Sequence, residues 1–171
     1  MEKKIVLVAA AMWLATFGLR AEETVSATEL VLGQSAAFSG PAAGLGTELW
    51  RGAEAYFQGL NAAGGVNGRK IKVHAVDDGY EGDRTLPNTI NFLTQEKVFG
   101  LFGYVGTPTL VKALPAVLRF KDDGYFLFGN FTGAQPQREK PYEEVVFNIR
   151  ASYRQETAAI VDRRGDREGV A

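Results

Sequence analysis

The chain has 171 residues, 46% of them hydrophobic, a formal net charge of −1 and no cysteine. This length allows one compact hydrophobic core and leaves little room for a second domain. The mildly acidic balance, without a long basic stretch, excludes counterion-driven binding of DNA or RNA. The absence of cysteine excludes disulfide bonds and the lipid-anchored cysteine of a bacterial lipoprotein.

Residues 1–21 have the composition of a secretory signal peptide. A basic start precedes the apolar run Ile5–Leu19, and a small residue, Ala21, precedes a polar segment. The run is shorter than the roughly 20 apolar residues that a membrane-spanning helix needs. We therefore predict cleavage after Ala21, a mature N-terminal segment over residues 22–28, and a soluble protein in the periplasm. An N-terminal anchor or a buried helix is the alternative. Cleavage would remove three basic residues and one acidic residue, which changes the net charge from −1 to −3.

Strand and helix signals alternate from residue 29 onward. The apolar start of Glu29–Phe38 predicts a buried parallel strand. Apolar residues at three- and four-residue spacings then predict an amphipathic helix over 47–63, with Trp50, Tyr56 and Phe57 on its buried side. The segment Leu60–Gly79 contains a helix end, a tight turn and a strand whose alternating residues indicate one buried face.

The later elements are predicted from capping and apolar-run signals. Asp83 is predicted to cap the second helix, with Pro87 in its first turn, and Thr107 is predicted to cap the third, with Pro108 at its first position. The predicted elements are a helix over 84–95, a strand over 98–105, a helix over 108–120, strands over 124–128 and 145–149, and a helix over 152–161.

This alternation predicts an α/β fold. It is typical of a three-layer domain with a mostly parallel sheet, helices on both faces and right-handed crossovers. We expect the lobe to span residues 29–161. The charged run over 162–171 is predicted to be a solvated helix end or linker.

Three loops at the predicted carboxyl ends of strands are candidate binding loops, because open α/β sheets bind ligands there, beside helix N-termini. They are Ser39–Gly46, Gly106–Thr109 and Asn130–Gly133. Thr107 is the strongest candidate, because a hydroxyl at a helix start can contact a carboxylate. The alternative is that Thr107 only caps the helix.

Enzymatic chemistry has little support in the residue inventory. His74 is the only histidine, and it falls in the middle of a predicted strand on the polar side, where a catalytic role is not expected. Asp77 and Asp78 could bind a metal or a ribose hydroxyl, but adjacent acids at a strand end more often cap a turn. The Gly44–Gly46 segment is only weakly similar to a dinucleotide-binding loop. We predict no enzyme activity, no metal and no cofactor.

Several ordered motifs between about Leu30 and Ile160 carry a family resemblance. They are QSAAFSGPAAGLGTELWRGAEAYFQGLNAAGGVNGRKIKVHAVDDGYEGDRT, LFGYVGTPT and FLFGNFTGA. Together they resemble the N-terminal lobe of the leucine/isoleucine/valine-binding protein family, the type I periplasmic solute-binding proteins of ABC importers. The resemblance implies two lobes, joined by a hinge, that close over a branched-chain amino acid or a similar small polar solute and offer it to a membrane permease.

The resemblance also implies site residues. Gly106 and Thr107, with Asn130 and Thr132, match the loops that hold the carboxylate and amino groups of an amino-acid ligand, and Leu45 matches the position that covers the ligand. Asn130 stands where relatives often have a small residue or proline, so the solute stays open. The resemblance further implies that this lobe is incomplete and that the second lobe and most of the hinge are absent. Binding of the solute is therefore expected to be weak. The alternative is a ligand-sensing extracytoplasmic domain of a receptor or signalling protein.

Overall fold

The structure is a computed structural model that describes Ser26 and residues 28–168. The predicted signal peptide, residues 1–21, lies outside the described residues. The helices and strands, in chain order, are β1 (Glu29–Ala36), α1 (Ala43–Ala62), β2 (Lys70–Asp77), α2 (Gly82–Thr94), β3 (Gly100–Phe102), α3 (Thr107–Arg119), β4 (Leu127–Phe128), β5 (Val146–Phe147) and α4 (Tyr153–Glu168). This order confirms the predicted alternation.

The five strands form one sheet in the order β2-β1-β3-β4-β5, and every neighbouring pair is parallel. The α/β prediction is therefore confirmed. β1 and β2 are paired over their full length, from Glu29 with Lys70 to Ala36 with Asp77. Because all the strands run in one direction, the loops that follow them lie along a single edge of the sheet. We call this edge the carboxyl edge.

One face of the sheet, the inner face, is covered by α2 and α3. The apolar residues at three- and four-residue spacings on these helices pack on alternate strand residues and exclude water from them. The largest buried side chains of the core on this face include Phe92, Leu101, Tyr104, Leu110, Leu114 and Leu127. The Tyr104 hydroxyl is fully buried and lies 2.9 Å from the Thr89 hydroxyl, so its polar atom has a partner.

Among the described residues, α1 covers the opposite face over β2 and reaches as far as Phe102 of β3. Over β3, β4 and β5 this opposite face presents partly exposed rings, which we call the aromatic face: Phe102, Phe126, Phe128 and Phe147. Phe57 of α1 meets Phe102 with ring centroids 5.7 Å apart. The prediction that Tyr56 is buried is wrong, because its side chain is 69% exposed. Trp50 and Phe57 are only partly buried.

The outer strand β2 is contacted at one point of its free edge, at Ile71, by a side chain of α1. Asn61 Nδ2 donates to the carbonyl of Ile71 at 2.7 Å, and the Ile71 N–H donates to Asn61 Oδ1 at 2.8 Å. This double contact lies beside the turn that the sequence predicts between α1 and β2. It attaches the end of the helix to the start of the strand.

The prediction that Asp83 caps the second helix is wrong. Glu81 is the N-cap of α2 and makes no side-chain cap bond, while Asp83 lies inside the first turn and forms an ion pair with Lys112 at 2.9 Å. Pro87 lies beyond the first turn, inside the helix. The later strands are shorter than predicted, and α4 continues to Glu168, into the predicted charged tail.

Candidate functional site

The loops after β3 and β4 lie against each other at the carboxyl edge. Val105 and Phe131 form an isolated parallel bridge beyond the ends of the two strands. The Phe131 N–H donates to the Tyr104 carbonyl at 2.7 Å, and the Gly106 N–H donates to the Phe131 carbonyl at 3.3 Å. These bonds place the start of α3 beside the loop that begins at Asn130.

The start of α3 depends on a glycine. Gly106 is the N-cap of α3, with φ of 102°, a conformation that residues with a Cβ rarely adopt. A Cβ at this position would lie 2.5 Å from the Tyr80 ring. The prediction of Thr107 as the N-cap is therefore wrong: Thr107 is the first helical residue and makes no cap bond.

The Thr107 hydroxyl instead contacts the next loop. Its Oγ1 lies 2.7 Å from Thr132 Oγ1, so the structure brings together two predicted site residues that are 25 positions apart in the chain. Thr132 is fully buried, and its Oγ1 also accepts the Ala134 N–H at 3.2 Å. Two hydroxyls and the N-terminus of α3 thus meet at one point of the carboxyl edge.

Tyr153 adds a third hydroxyl that the sequence analysis did not identify. Its phenol oxygen lies 3.3 Å from Thr132 Oγ1, and its N–H donates to the Gly133 carbonyl at 2.7 Å. Hydrogen bonds with Thr132 and Thr107, aided by the positive charge of Arg150, lower the pKa of Tyr153. We call Thr107, Thr132 and Tyr153 the hydroxyl cluster.

A capping box could have located Tyr153. Ser152 Oγ accepts the Gln155 N–H at 3.2 Å, and Gln155 Oε1 accepts the Ser152 N–H at 2.8 Å. This reciprocal pattern starts a helix, with the residue after the serine at its first position. The Ser-x-x-Gln spacing is visible in the sequence, and it places Tyr153 at the start of α4.

Arg150 lies at the rim of the hydroxyl cluster. Its guanidinium is 5.3 Å from the Tyr153 ring centroid and 5.2 Å from that of Phe131. Two of its nitrogens donate to Glu156, at 2.8 and 3.1 Å. The hydrogen bond to Glu156 raises the pKa of Arg150 and lowers that of Glu156. The pair fixes a permanent cation over two aromatic rings.

Asn130 and Leu45 lie at the same edge, and among the described residues neither forms a hydrogen bond with the hydroxyl cluster. Asn130 is buried; its Nδ2 lies 3.4 Å from Asn148 Oδ1, and its own Oδ1 has no hydrogen-bond partner among the described residues. Leu45 lies in the first turn of α1, after the loop that follows β1, and is 45% exposed. Their roles stay predictions.

Asp77 joins the loop after β1 to the loop after β2. Its carboxylate accepts the N–H groups of Phe38, Ser39 and Gly79 at 2.8, 3.1 and 2.9 Å, the Ser39 hydroxyl at 2.6 Å and an Arg84 nitrogen at 3.1 Å. Burial acts to raise the pKa of Asp77, but the hydrogen bonds from Ser39, Phe38 and Gly79 and the Arg84 charge outweigh it, so the pKa is lowered. The turn-capping interpretation of this residue fits these contacts.

Asp78 points to the inner face instead. It accepts the hydroxyls of Ser35 and Thr85 at 2.8 and 3.0 Å and the Tyr80 N–H at 2.9 Å. Burial nevertheless raises its pKa. These contacts tie β1, β2 and α2 together beneath the candidate binding loops.

Among the described residues, the other candidates for catalysis or metal binding do not form a second site. His74 Nδ1 is paired with Glu96, and the His74 ring lies edge-on to that of Phe92 in α2, with ring centroids 5.6 Å apart. Within the described residues, no three His, Cys, Asp or Glu side chains come close enough to bind a metal ion. None of the helices in that same part of the chain has the length and apolar character needed to cross a membrane.

Comparisons with known proteins give the family. The sequence profile of the periplasmic binding protein family matches residues 29–170. Leu/Ile/Val-binding protein homolog 7 of Brucella abortus is 31% identical to this chain over 113 residues, which cover 66% of this chain and 27% of that protein. The chain spans about a quarter of the length of the curated relatives it matches.

Solved structures agree with the sequence matches. The crystal structure of a possible leucine/isoleucine/valine-binding protein from Rhodopirellula baltica superposes with a TM-score of 0.71 and 41% identity, covering 81% of this chain and 36% of that one. An ABC transporter solute-binding protein from Rhodopseudomonas palustris, in complex with benzoate, has a TM-score of 0.62 and 25% identity, covering 74% and 34%. The chain therefore belongs to the periplasmic binding protein family, in which it corresponds to the N-terminal lobe of the leucine/isoleucine/valine-binding proteins.

Proposed function

We propose that the chain is the N-terminal, ligand-binding lobe of an exported solute-binding protein of an ABC importer. Its solute is a branched-chain amino acid or a similar small carboxylate, bound in the periplasm in a cleft between two lobes. In this proposal residues 1–21 are the signal peptide, 22–28 the mature N-terminal segment, 29–161 the lobe and 162–171 a charged tail, and the second lobe is the part of the longer relatives that this chain does not match.

The observation that carries the proposal is the contact between Thr107 and Thr132 at the N-terminus of α3. The first amide groups of a helix lack intrahelical partners, and the helix dipole makes this end positive. Hydroxyls placed there can donate to a carboxylate. The site lies at the carboxyl edge of a parallel sheet, where α/β proteins bind ligands.

The other predicted site residues complete the proposed pocket. Asn130 carries a buried oxygen without a partner among the described residues, and this oxygen can accept a hydrogen bond from a ligand amino group. Leu45, in the first turn of α1, offers an apolar surface to cover the ligand. An aliphatic or aromatic carboxylate fits this combination of an anion-binding base and an apolar cover.

One lobe should bind weakly. Two or three hydrogen bonds to a charged group contribute about 1.5–3 kcal/mol each, and association costs on the order of 4–15 kcal/mol. Micromolar affinity needs about 8 kcal/mol of net binding free energy. Contacts from a second lobe are therefore needed for tight binding, and the permease is expected to recognise the closed two-lobed protein.

A titration followed by amide NMR shifts tests this proposal, because it detects weak binding. We expect L-leucine or benzoate to shift the amide resonances of Gly106, Thr107 and Gly133, and we expect Thr107→Ala and Thr132→Ala to abolish these shifts. Thr94→Ala is the matched control, since the Thr94 hydroxyl bonds its own helix at the Ile90 carbonyl. Shifts produced by nucleotides alone, or turnover of any solute in the panel, would contradict the proposal.

The same site could serve a ligand-sensing domain of a receptor. Genomic DNA beyond codon 171 distinguishes the two functions. A second lobe there supports transport, whereas a membrane helix followed by a signalling domain supports sensing.

A further inference from the structure

Tyr153 belongs to a helix and lies outside the predicted binding loops, yet its hydroxyl lies beside that of Thr132 in one of those loops. It is the first residue of α4, and its N–H bond to the Gly133 carbonyl at 2.7 Å attaches α4 to the loop that carries Thr132. Thr107 is in turn the first residue of α3. The hydroxyl cluster therefore lies between the N-termini of two helices, both of which favour negative charge.

The phenol is also free to change partner. Its 3.3 Å separation from Thr132 Oγ1 is longer than the roughly 2.5–3.0 Å of an ordinary O–H···O bond. Turning the phenol toward a stronger acceptor would therefore lose little. Tyr153 is 46% exposed while Thr132 is fully buried, so Tyr153 is the more accessible of these two residues to an incoming solute.

The surroundings of the phenol favour an anion. The Arg150 guanidinium lies 5.3 Å from its ring centroid, and hydrogen bonds with Thr132 and Thr107 lower the pKa of Tyr153. The groups that stabilise negative charge on the phenol oxygen would act in the same way on a carboxylate oxygen placed beside it.

We propose that Tyr153 is a ligand-contacting, specificity-determining residue, whose hydroxyl joins those of Thr107 and Thr132 in holding the acid group of the solute. The inference rests on the proposed function of this site and extends it to a third hydroxyl donor. The lobe then selects carboxylates over neutral carboxamides of the same shape, because an amide presents one acceptor oxygen and no charge to three donors.

The test compares matched probes on the whole chain by amide NMR titration. L-leucine is paired with L-leucinamide, and benzoate with benzamide. We expect Tyr153→Phe to weaken L-leucine and benzoate binding about ten-fold, the size of one hydrogen bond to a charged group, and to leave the two amides unchanged. Tyr56→Phe is the control, because Tyr56 is exposed on α1.

The outcomes separate this inference from the proposed function. If acids bind and Thr107→Ala abolishes binding but Tyr153→Phe changes nothing, the role of Tyr153 is wrong and the binding function stands. If no probe shifts the site amides of the unmutated chain, both are wrong.

A measurement on the unmutated chain covers the case in which Tyr153→Phe fails to fold. With tyrosine labelled at Cζ, benzoate should move the Tyr153 resonance and leave that of Tyr56 in place. A Tyr153 resonance that stays fixed while the Thr107 amide shifts would overturn the inference.

Discussion

The two faces of the sheet use similar apolar residues but bury them to different degrees. On the inner face, α2 and α3 enclose strand side chains such as Leu101 and Leu127 completely. On the aromatic face, Phe128 is 41% exposed and Phe147 54% exposed. Alternating strand residues supply both faces, so the difference arises from the helices that cover them. The stability of the described lobe is concentrated on one side, and the candidate site is supported from that side.

Truncating one ring on each face should give the largest contrast. Phe92→Ala removes a fully buried ring and should lower the free energy of unfolding by about 3–5 kcal/mol. Phe128→Ala, its counterpart on the aromatic face, should cost no more than about 1 kcal/mol, because much of its ring already contacts solvent. Urea unfolding followed by circular dichroism measures both. Equal losses would mean that the two faces are equally buried.

Adding one methyl group to each face gives a smaller contrast. A Cβ at Gly33 would lie 2.8 Å from the Phe92 ring, and a Cβ at Gly100 would lie 2.6 Å from the Phe126 ring. Phe92 is enclosed and cannot move, so Gly33→Ala should cost about 1–3 kcal/mol. Phe126 is only partly buried and can swing outward, so Gly100→Ala should cost less. Thermal unfolding of the two variants side by side tests this order, and a larger loss for Gly100→Ala would refute it.

The adjacent acids Asp77 and Asp78 also differ, because their folded-state pKa values are shifted in opposite directions. Their contributions to stability should therefore depend on pH in opposite ways. The folded-state pKa of Asp77 is lowered, so its contribution to stability is present above its ordinary pKa of 3.8 and is lost as pH falls further. The folded-state pKa of Asp78 is raised from 3.8, so its contribution is greatest below that pH and declines as pH rises through the folded value.

Two asparagine substitutions separate these contributions. Asp77→Asn should cost about 1–2 kcal/mol at neutral pH, because the Asp77 carboxylate is partly solvent-screened, and should flatten the loss of stability below pH 3.8. Asp78→Asn should remove the decline above pH 3.8. Urea midpoints measured across acidic pH check both. An unchanged pH profile in either variant would contradict the assignment.

The smallest effect is expected at the rim of the aromatic face. Phe147→Ser should change the free energy of unfolding by about 0.5 kcal/mol or less, as exposed substitutions usually do. It should, however, reduce the fluorescence of a hydrophobic dye such as ANS, because the exposed apolar area shrinks. Lys121→Ser, at an exposed ion pair with Glu144, is the control that should leave dye fluorescence unchanged. A variant at position 147 that binds dye as before would place the dye site elsewhere.

Local sequence patterns predicted most of the fold. β2 could be recognised because its residues alternate and glycine-rich turns precede it. The helix starts were predicted less accurately. The N-cap of α2 is Glu81 and not Asp83, and the N-cap of α3 is Gly106 and not Thr107. Capping residues report a nearby helix start, but several arrangements within one turn satisfy the same signal.

The candidate site was harder to predict because its contacts join distant segments. The resemblance named Thr107 and Thr132, yet nothing local in the sequence shows that their hydroxyls meet. Tyr153 was missed because only the loops that follow strands were taken as candidate binding loops, and the predicted helix over 152–161 was given no role. For Tyr56 the error was to predict burial of an exposed residue. Helical periodicity identifies the apolar side of a helix but does not show how much of that side the neighbouring layer covers. The roles of Leu45, Gly106 and Asn130 stay predictions.

The Asn61 carboxamide has a consequence for association between chains. An outer strand offers free N–H and C=O groups to which a strand of another molecule can pair. At Ile71 both groups are already used by Asn61, so an incoming strand would have to displace this side chain before it could extend the sheet. At the other end, β5 has only two residues, Val146–Phe147, which is too short to hold a strand in register. Strand addition is therefore hindered at Ile71 on one outer strand of the described sheet and by the short length of β5 on the other.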